Sequence, residues 1–277
     1  MKKRTKSVIW AIILIASVLP DVACTQVKTS TVMVSKDIEY IQVLDYQGKM
    51  QSLRLDTYQQ PKGNKTNRPV IILVHGGGFG GGDKGYTEAQ GNFYPEIATA
   101  FANEGYVVFS INYRLCSDCP DSFNVVLDNA VADALAALSW IKNKRLEYGI
   151  DTTKIIIGGD SAGGGLVVNA SYRYADSQLF AGCIDLWGGL APFGVGLKSV
   201  PVNACPVTTK TPPTCIIHGT IDSVVPYSIS MDLSALLTSK GIYNELHPLE
   251  GAEHYPNHLS GQIIQIMLAF SNKIISR

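Results

Sequence analysis

Apolar positions along the chain follow two different periods. From residue 38, IEYIQVLDY and MQSLRLDTY alternate apolar and polar residues around Gln47-Gly48-Lys49, the pattern of two half-buried strands joined by a tight turn at an antiparallel edge. Further on, PVIILVHG at 69–76, YVVFSINY at 106–113 and KIIIGGD at 154–160 are near-continuous apolar runs, expected of parallel strands covered on both faces. Between them, Leu127, Val131, Leu135, Leu138 and Ile141 recur at spacings of three and four, predicting a helix over 125–146 that buries one stripe. AGGGLVVNASYRY continues as helix, FAGCIDLWGG and TCIIHGT add two strands, 227–240 is helical, NELHPLE is a last strand and Pro256 to Ile275 a closing helix. Eight strands with crossover helices make a single α/β domain over 37–277, with a mostly parallel sheet. Residues 188–212 break the pattern: 25 residues without periodicity exceed the usual loop, for which more than about 15 is already uncommon. A lid carrying Leu190, Phe193, Val195, Leu197 and Val200 and a plain surface cover both fit this stretch.

The head of the chain is different material. MKKRTK is cationic, VIWAIILIASVLP is an apolar run of 13 residues, and DVAC follows. The run falls short of the ~20 residues that span a bilayer, so 1–23 reads as an export signal and 24–36 as a tether. Two endings stay open: cleavage near Ala23, or cleavage before Cys24 with diacylation of that cysteine, which would tether the protein to a membrane as a periplasmic or cell-surface lipoprotein. Asp21 stands where lipoprotein signals usually carry an aliphatic residue.

Composition narrows the remainder. With 277 residues, 46% of them hydrophobic and 17% charged, the chain can bury a large core and is neither disordered nor fibrous. Formal charge is zero overall, but without residues 1–23 some 19 basic groups face 22 acidic ones. A weakly acidic body without a basic stripe argues against nucleic acid as a partner. Besides Cys24 there are Cys116, Cys119, Cys183, Cys205 and Cys215. Export permits disulfides: Cys116 and Cys119 could close a polar loop, and Cys183 with Cys205 could staple the segment between them. Cys215, within TCIIHG, reads as a buried small hydrophobe.

The chemistry gathers at glycines. In Gly158-Gly159-Asp160-Ser161-Ala162-Gly163-Gly164 an apolar strand ends and a helix begins around one serine, the G-x-S-x-G elbow in its strand, turn and helix context. Glycine neighbours let Ser161 take a strained backbone conformation that exposes Oγ, and the Ala162 N–H points toward charge developing on an attacked carbonyl. His75-Gly76-Gly77-Gly78-Phe79 follows another apolar strand, and the Gly77 and Gly78 N–H groups are the remaining candidates for an oxyanion hole. His75 reads as a support of that loop. The cluster lacks the endings of a Walker or dinucleotide loop, and no cofactor or metal is expected. A serine needs a base, and the base needs a carboxylate to orient it. Asp222, in HGTIDSVVP after the strand TCIIHG, is the candidate acid, and His254, in GAEH after the last strand, the candidate base. His218 and His247 lie in or at strands and read as supporting or core residues, and His258 stands four residues beyond His254. A zinc reading of His254 with His258 is disfavoured because no Glu stands inside the pair. Asp160 and Glu253 are rivals for the acid, with Asp160 expected to point away from Ser161 and brace the loop.

HGGGF at 75–79, NYRL at 112–115, GGDSAGG at 158–164, HGTIDSVVP at 218–226 and GAEH at 251–254 together resemble the α/β-hydrolase esterases and lipases. The likeness is to the HGGG group related to hormone-sensitive lipase and to small secreted esterases that deacylate plant-wall polysaccharides. The resemblance implies an eight-stranded α/β-hydrolase fold and a carboxylesterase with nucleophile Ser161, acid Asp222, base His254 and oxyanion donors Gly77, Gly78 and Ala162. It also implies, for Arg114, a scaffold salt bridge. Little mature chain precedes the first strand, so a cap is expected to be small or absent, leaving an open cleft suited to acetyl, feruloyl or other short acyl and aryl esters, small or polymer-borne. A serine exopeptidase on the same fold and a catalytically silent surface binding protein are the alternatives.

Overall fold

A computed structural model describes residues 31–85, 91–117, 123–189 and 207–276. Within them run eight strands: β1 (Met33–Leu44), β2 (Met50–Gln59), β3 (Arg68–Val74), β4 (Val107–Ile111), β5 (Ile150–Asp160), β6 (Gly182–Leu186), β7 (Thr214–Gly219) and β8 (Asn244–Leu249). The helices are α1 (Phe93–Asn103), α2 (Phe123–Asn143), the single turn α3 (Arg145–Tyr148), α4 (Ala162–Arg173), α5 (Ser228–Ser239) and α6 (Ser260–Ile275). One sheet holds all eight strands in the order β1-β2-β4-β3-β5-β6-β7-β8. β2 pairs antiparallel with both β1 and β4, and every pair from β4 through β8 is parallel. This is the α/β-hydrolase fold.

The continuous apolar runs follow from burial on both faces. In β3, Val70, Ile72 and Val74 join the core under α2 and α4, whereas Ile71 and Leu73 join the core under α1 and α6. β5 divides likewise, Ile155 and Ile157 against Ile156. α2 buries the stripe its spacing predicts, from Val126 and Leu127 through Leu138 and Ile141, and Leu135 is half-buried at the margin. On that same face Asp133 is buried, paired to Arg114 at 2.8 Å.

Two expectations change. β1 begins at Met33, inside the stretch 24–36 read as a tether. A register shift between Ser35 and Ile38 breaks the alternation there, so the strand's first residues carry no pattern. Cys183 is a buried thiol within β6, not half of a staple to Cys205, which lies outside the described residues. Cys116 is disulfide-bonded, and Cys119 lies outside the described residues. The same is true of the 1–23 signal, Cys24 and residues 190–206 of the long loop.

Strand order itself selects the place for a site. From β3 the chain moves to β4 on one side, then returns to β5 on the other, so the connections that lead into β4 and out of β5 part at the carboxyl ends of the paired strands β3 and β5. Ligand crevices of open α/β sheets form at such a switch point. Both glycine motifs, 75–79 after β3 and 158–164 at the end of β5, sit there.

Candidate active site

Ser161 occupies the turn between β5 and α4 with φ 50° and ψ −120°, a strained conformation for a side chain-bearing residue. The surroundings explain how the turn closes. A β-carbon at Gly159 would stand 2.6 Å from the carbonyl oxygens of Val74 and Gly163, and one at Gly163 2.5 Å from that of His75. Only glycine lets β3, β5 and α4 approach this closely. Ser161 donates its N–H to Leu186 O at 2.8 Å, which fixes the turn to β6.

Asp222 and His254 reach Ser161 from the ends of β7 and β8. A β-carbon at Gly219 would collide with the backbone of Ala252, so glycine at this position lets the two loops pack closely. Bonds from Thr220 N–H to Leu249 O and from Ile221 N–H to Ala252 O tie them together. His254 Nδ1 lies 2.7 Å from Asp222 Oδ2, and His254 Nε2 lies 3.0 Å from Ser161 Oγ. Nδ1, facing a carboxylate, carries the proton, which leaves Nε2 to accept the serine hydroxyl. Burial would raise the Asp222 carboxyl, but hydrogen bonds from His218, His254 and the Val225 N–H outweigh it and hold the group well below the usual carboxylate range. Asp222 is therefore an anion at neutral pH.

The loop after β3 is shaped for backbone donors. Gly77 and Gly78 take φ 110° and 63°, and the Gly77 carbonyl accepts the N–H groups of Gly80 and Gly81. His75 lies beneath, stacked on Tyr113 at 4.6 Å between centroids, with Nδ1 2.7 Å from Gly76 O. Burial pushes its pKa down to about 4, so the ring is neutral and serves the loop rather than the reaction. Asp160 points away from the serine: it accepts the Gly76 N–H at 2.7 Å and the Tyr94 hydroxyl. Burial raises its pKa to about 6 against those bonds. A buried ammonium, Lys84, pins the far end of the loop, 2.8 Å from Asp37 and 3.4 Å from Asp56. It is further braced by Asn112, which accepts the Lys84 N–H. Glu253 accepts the Ser223 N–H and hydroxyl on the surface of the acid loop, away from His254.

The structure thus brings Ser161, Asp222 and His254 into one hydrogen-bonded line, with Ala162 opening α4 directly after the serine. His247 stands by Glu245 on β8, and His258 lies in a short 3₁₀ turn beyond Pro256, so neither joins the line. Two aromatic residues beside it escaped the motif reading. Tyr255, at φ 58°, packs edge-on against His254 with centroids 4.3 Å apart, and Trp187, at φ 41°, borders both. A bulky residue in the left-handed region leaves no trace in sequence periodicity.

A family profile described as BD-FAE matches residues 55–186, from β2 through the end of β6, including the glycine loop and Ser161. Esterase 2 of Thermogutta terrifontis, solved phosphoramylated by tabun, superposes with a TM-score of 0.68 at 25% identity, covering 88% of this chain and 94% of that one. The chain is an α/β-hydrolase of the esterase/lipase superfamily. A truncated carbohydrate esterase from gut microbiota shares this α/β-hydrolase's fold, with a TM-score of 0.70 at 20% identity over 88% of this chain and 97% of that one. Among curated relatives, the fumonisin B1 esterase of Sphingopyxis macrogoltabida is 31% identical over 122 residues, 40% of the α/β-hydrolase described here. That match spans 21% of the fumonisin esterase's own length.

Proposed function

We propose that this α/β-hydrolase is a serine carboxylic ester hydrolase that uses Ser161 as nucleophile, His254 as base and Asp222 as the carboxylate orienting it. One observation carries the reading: the unbroken line from Asp222 Oδ2 through His254 to Ser161 Oγ, at 2.7 and 3.0 Å. His254 Nε2 takes the serine proton as Oγ attacks the ester carbonyl, and Asp222 stabilises the imidazolium. The oxyanion is received by the N–H groups of Gly77, Gly78 and Ala162. His254 returns the proton to the departing alcohol, and the same base then activates the water that frees the acid.

Short acyl and aryl esters are the proposed substrates, acetyl and feruloyl groups on plant polysaccharides among them. Two exposed apolar residues close to Asp222 in sequence, Ile221 and Val224, support an acyl or aryl group as the part recognised. The cationic and apolar opening of the chain supports export, with Cys24 as a point of lipid attachment.

The test is hydrolysis of p-nitrophenyl esters from acetate to palmitate by wild type and Ser161→Ala. The expected result is turnover of acetate and butyrate that falls roughly 10⁶-fold in the variant. Equal turnover by the two proteins would overturn the assignment of Ser161. Inertness of the wild type toward every chain length would overturn the esterase reading and favour a peptidase or a silent scaffold.

A further inference from the structure

Tyr255 directly follows His254, yet its ring does not turn out to solvent. Its backbone sits at φ 58°, in the left-handed region that a bulky L-residue seldom adopts. The next residue, Pro256, has φ −76° and ψ 61°, an inverse γ-turn, and Asn257 donates its N–H to Tyr255 O at 2.8 Å. Together these turns fold the ring back across the site. It meets His254 edge-on, with centroids 4.3 Å apart at 72°, and Trp187 at 6.4 Å and 83°. At the inner end of this wedge the hydroxyl faces two groups at once, the Ser161 side chain and the Gly77 N–H. One is the attacking atom and the other a proposed oxyanion donor.

We propose that Tyr255 is a further catalytic residue, whose hydroxyl donates a side-chain hydrogen bond to the oxyanion beside the Gly77, Gly78 and Ala162 N–H groups. The inference rests on the esterase reading and deepens it. In the resting site the Gly77 N–H faces the phenol oxygen. When Oγ bonds to the carbonyl carbon, the serine proton passes to His254 Nε2 and the carbonyl π pair moves onto its oxygen. That oxygen lies one bond beyond the carbon held on Oγ, and it becomes the better acceptor for the Gly77 N–H because it now carries the charge. Tyr255 keeps its proton throughout and redirects it toward the same oxygen. Burial, with the nearby Asp160 carboxylate, raises its pKa against the opposing pull of Ser161 and Gly77, so the phenol stays a donor over the working pH range. Backbone donors are fixed, whereas a hydroxyl on a packed ring can follow the oxygen as the carbon becomes tetrahedral.

Tyr255→Phe keeps the ring packed on His254 and Trp187 and removes one oxygen. The expected result is a kcat for p-nitrophenyl acetate lowered 10- to 1000-fold with KM changed less than threefold, and a melting temperature within a few degrees of wild type. Rates equal to wild type would overturn the proposal, and faster rates would show instead a hydroxyl that blocks the hole. Tyr255→Met, lacking ring and hydroxyl alike, separates the two: full activity in the Phe variant with loss in the Met variant would assign the effect to packing and overturn the proposal. Stoichiometric release of p-nitrophenol from paraoxon reads Ser161 without ester turnover, and Tyr255→Phe should slow it. Wild type inert to both reagents sinks the esterase reading itself; wild type reactive to both, with the Phe variant unchanged, sinks only the role of Tyr255.

Discussion

His218 Nε2 lies 3.2 Å from Asp222 Oδ2, the same oxygen that holds His254. That nitrogen also faces Val225 O at 2.9 Å, so with two acceptors before it Nε2 carries the proton, and Nδ1, 2.7 Å from Ser230 Oγ, accepts from the hydroxyl. Asp222 Oδ1 takes the N–H groups of Val224 and Val225 at 2.8 Å each. The carboxylate is thus gripped on both oxygens, and its direction toward His254 does not depend on His254 alone.

Replacing His218 by Leu removes one donor from this grip. A hydrogen bond to a charged group contributes about 1.5–3 kcal/mol, so kcat/KM on p-nitrophenyl acetate should fall about 10- to 100-fold. Full kcat/KM in the variant would show that His218 only fills space.

The pH dependence of stability carries two opposed buried groups near the site. Asp160 has its pKa raised to about 6 by burial, so the stability of its neutral form is fully present below about pH 4 and is lost as pH rises through 6. His75, depressed to about 4 by burial, acts the other way, and its contribution is lost as pH falls from about 6.5 through 4. Asp160→Asn, which can still accept from Gly76 and Tyr94, should therefore gain on wild type as pH rises from 4 to 7, by something on the order of 1–3 kcal/mol. Denaturant midpoints for both proteins at pH 4, 5.5 and 7 check it. A difference that is constant with pH would mean Asp160 ionises normally.

Glycines in the chain differ sharply in what they permit. Gly163→Ala would drive a β-carbon into the backbone oxygens of Val74 and His75, and a loss above about 3 kcal/mol, or failure to fold, is expected. Gly261 lies in the first turn of α6 with nothing within 4 Å of an added carbon. Alanine there should stabilise by about 0.4–1 kcal/mol. Thermal melts of the two variants read both signs.

Ser161, Asp222 and His254 are visible in the sequence because each stands at a strand end inside a local glycine-rich turn, and local geometry leaves a local signature. The parallel strands are visible for a related reason: burial on both faces removes polar residues from the run. The first residues of β1 are not, since a bulge at an edge strand scrambles alternation. Nor are the contacts of Lys84 with Asp37 and Asp56, which join residues 47 and 28 positions apart and obey no spacing rule. Tyr255 is hidden for a third reason: its role depends on one backbone angle, and any sequence containing His-Tyr-Pro would read alike.

β1 and β4 run the same way, because each is antiparallel to β2. Met33, the first residue of β1, therefore enters the sheet at the rim where the parallel strands begin, whereas Ser161 sits at the rim where they end. A polypeptide leash attached upstream of Met33 would hold the molecule by its floor and leave the serine facing outward. A protein moored in that way presents its reactive end to whatever lies beyond the surface, with no reorientation required.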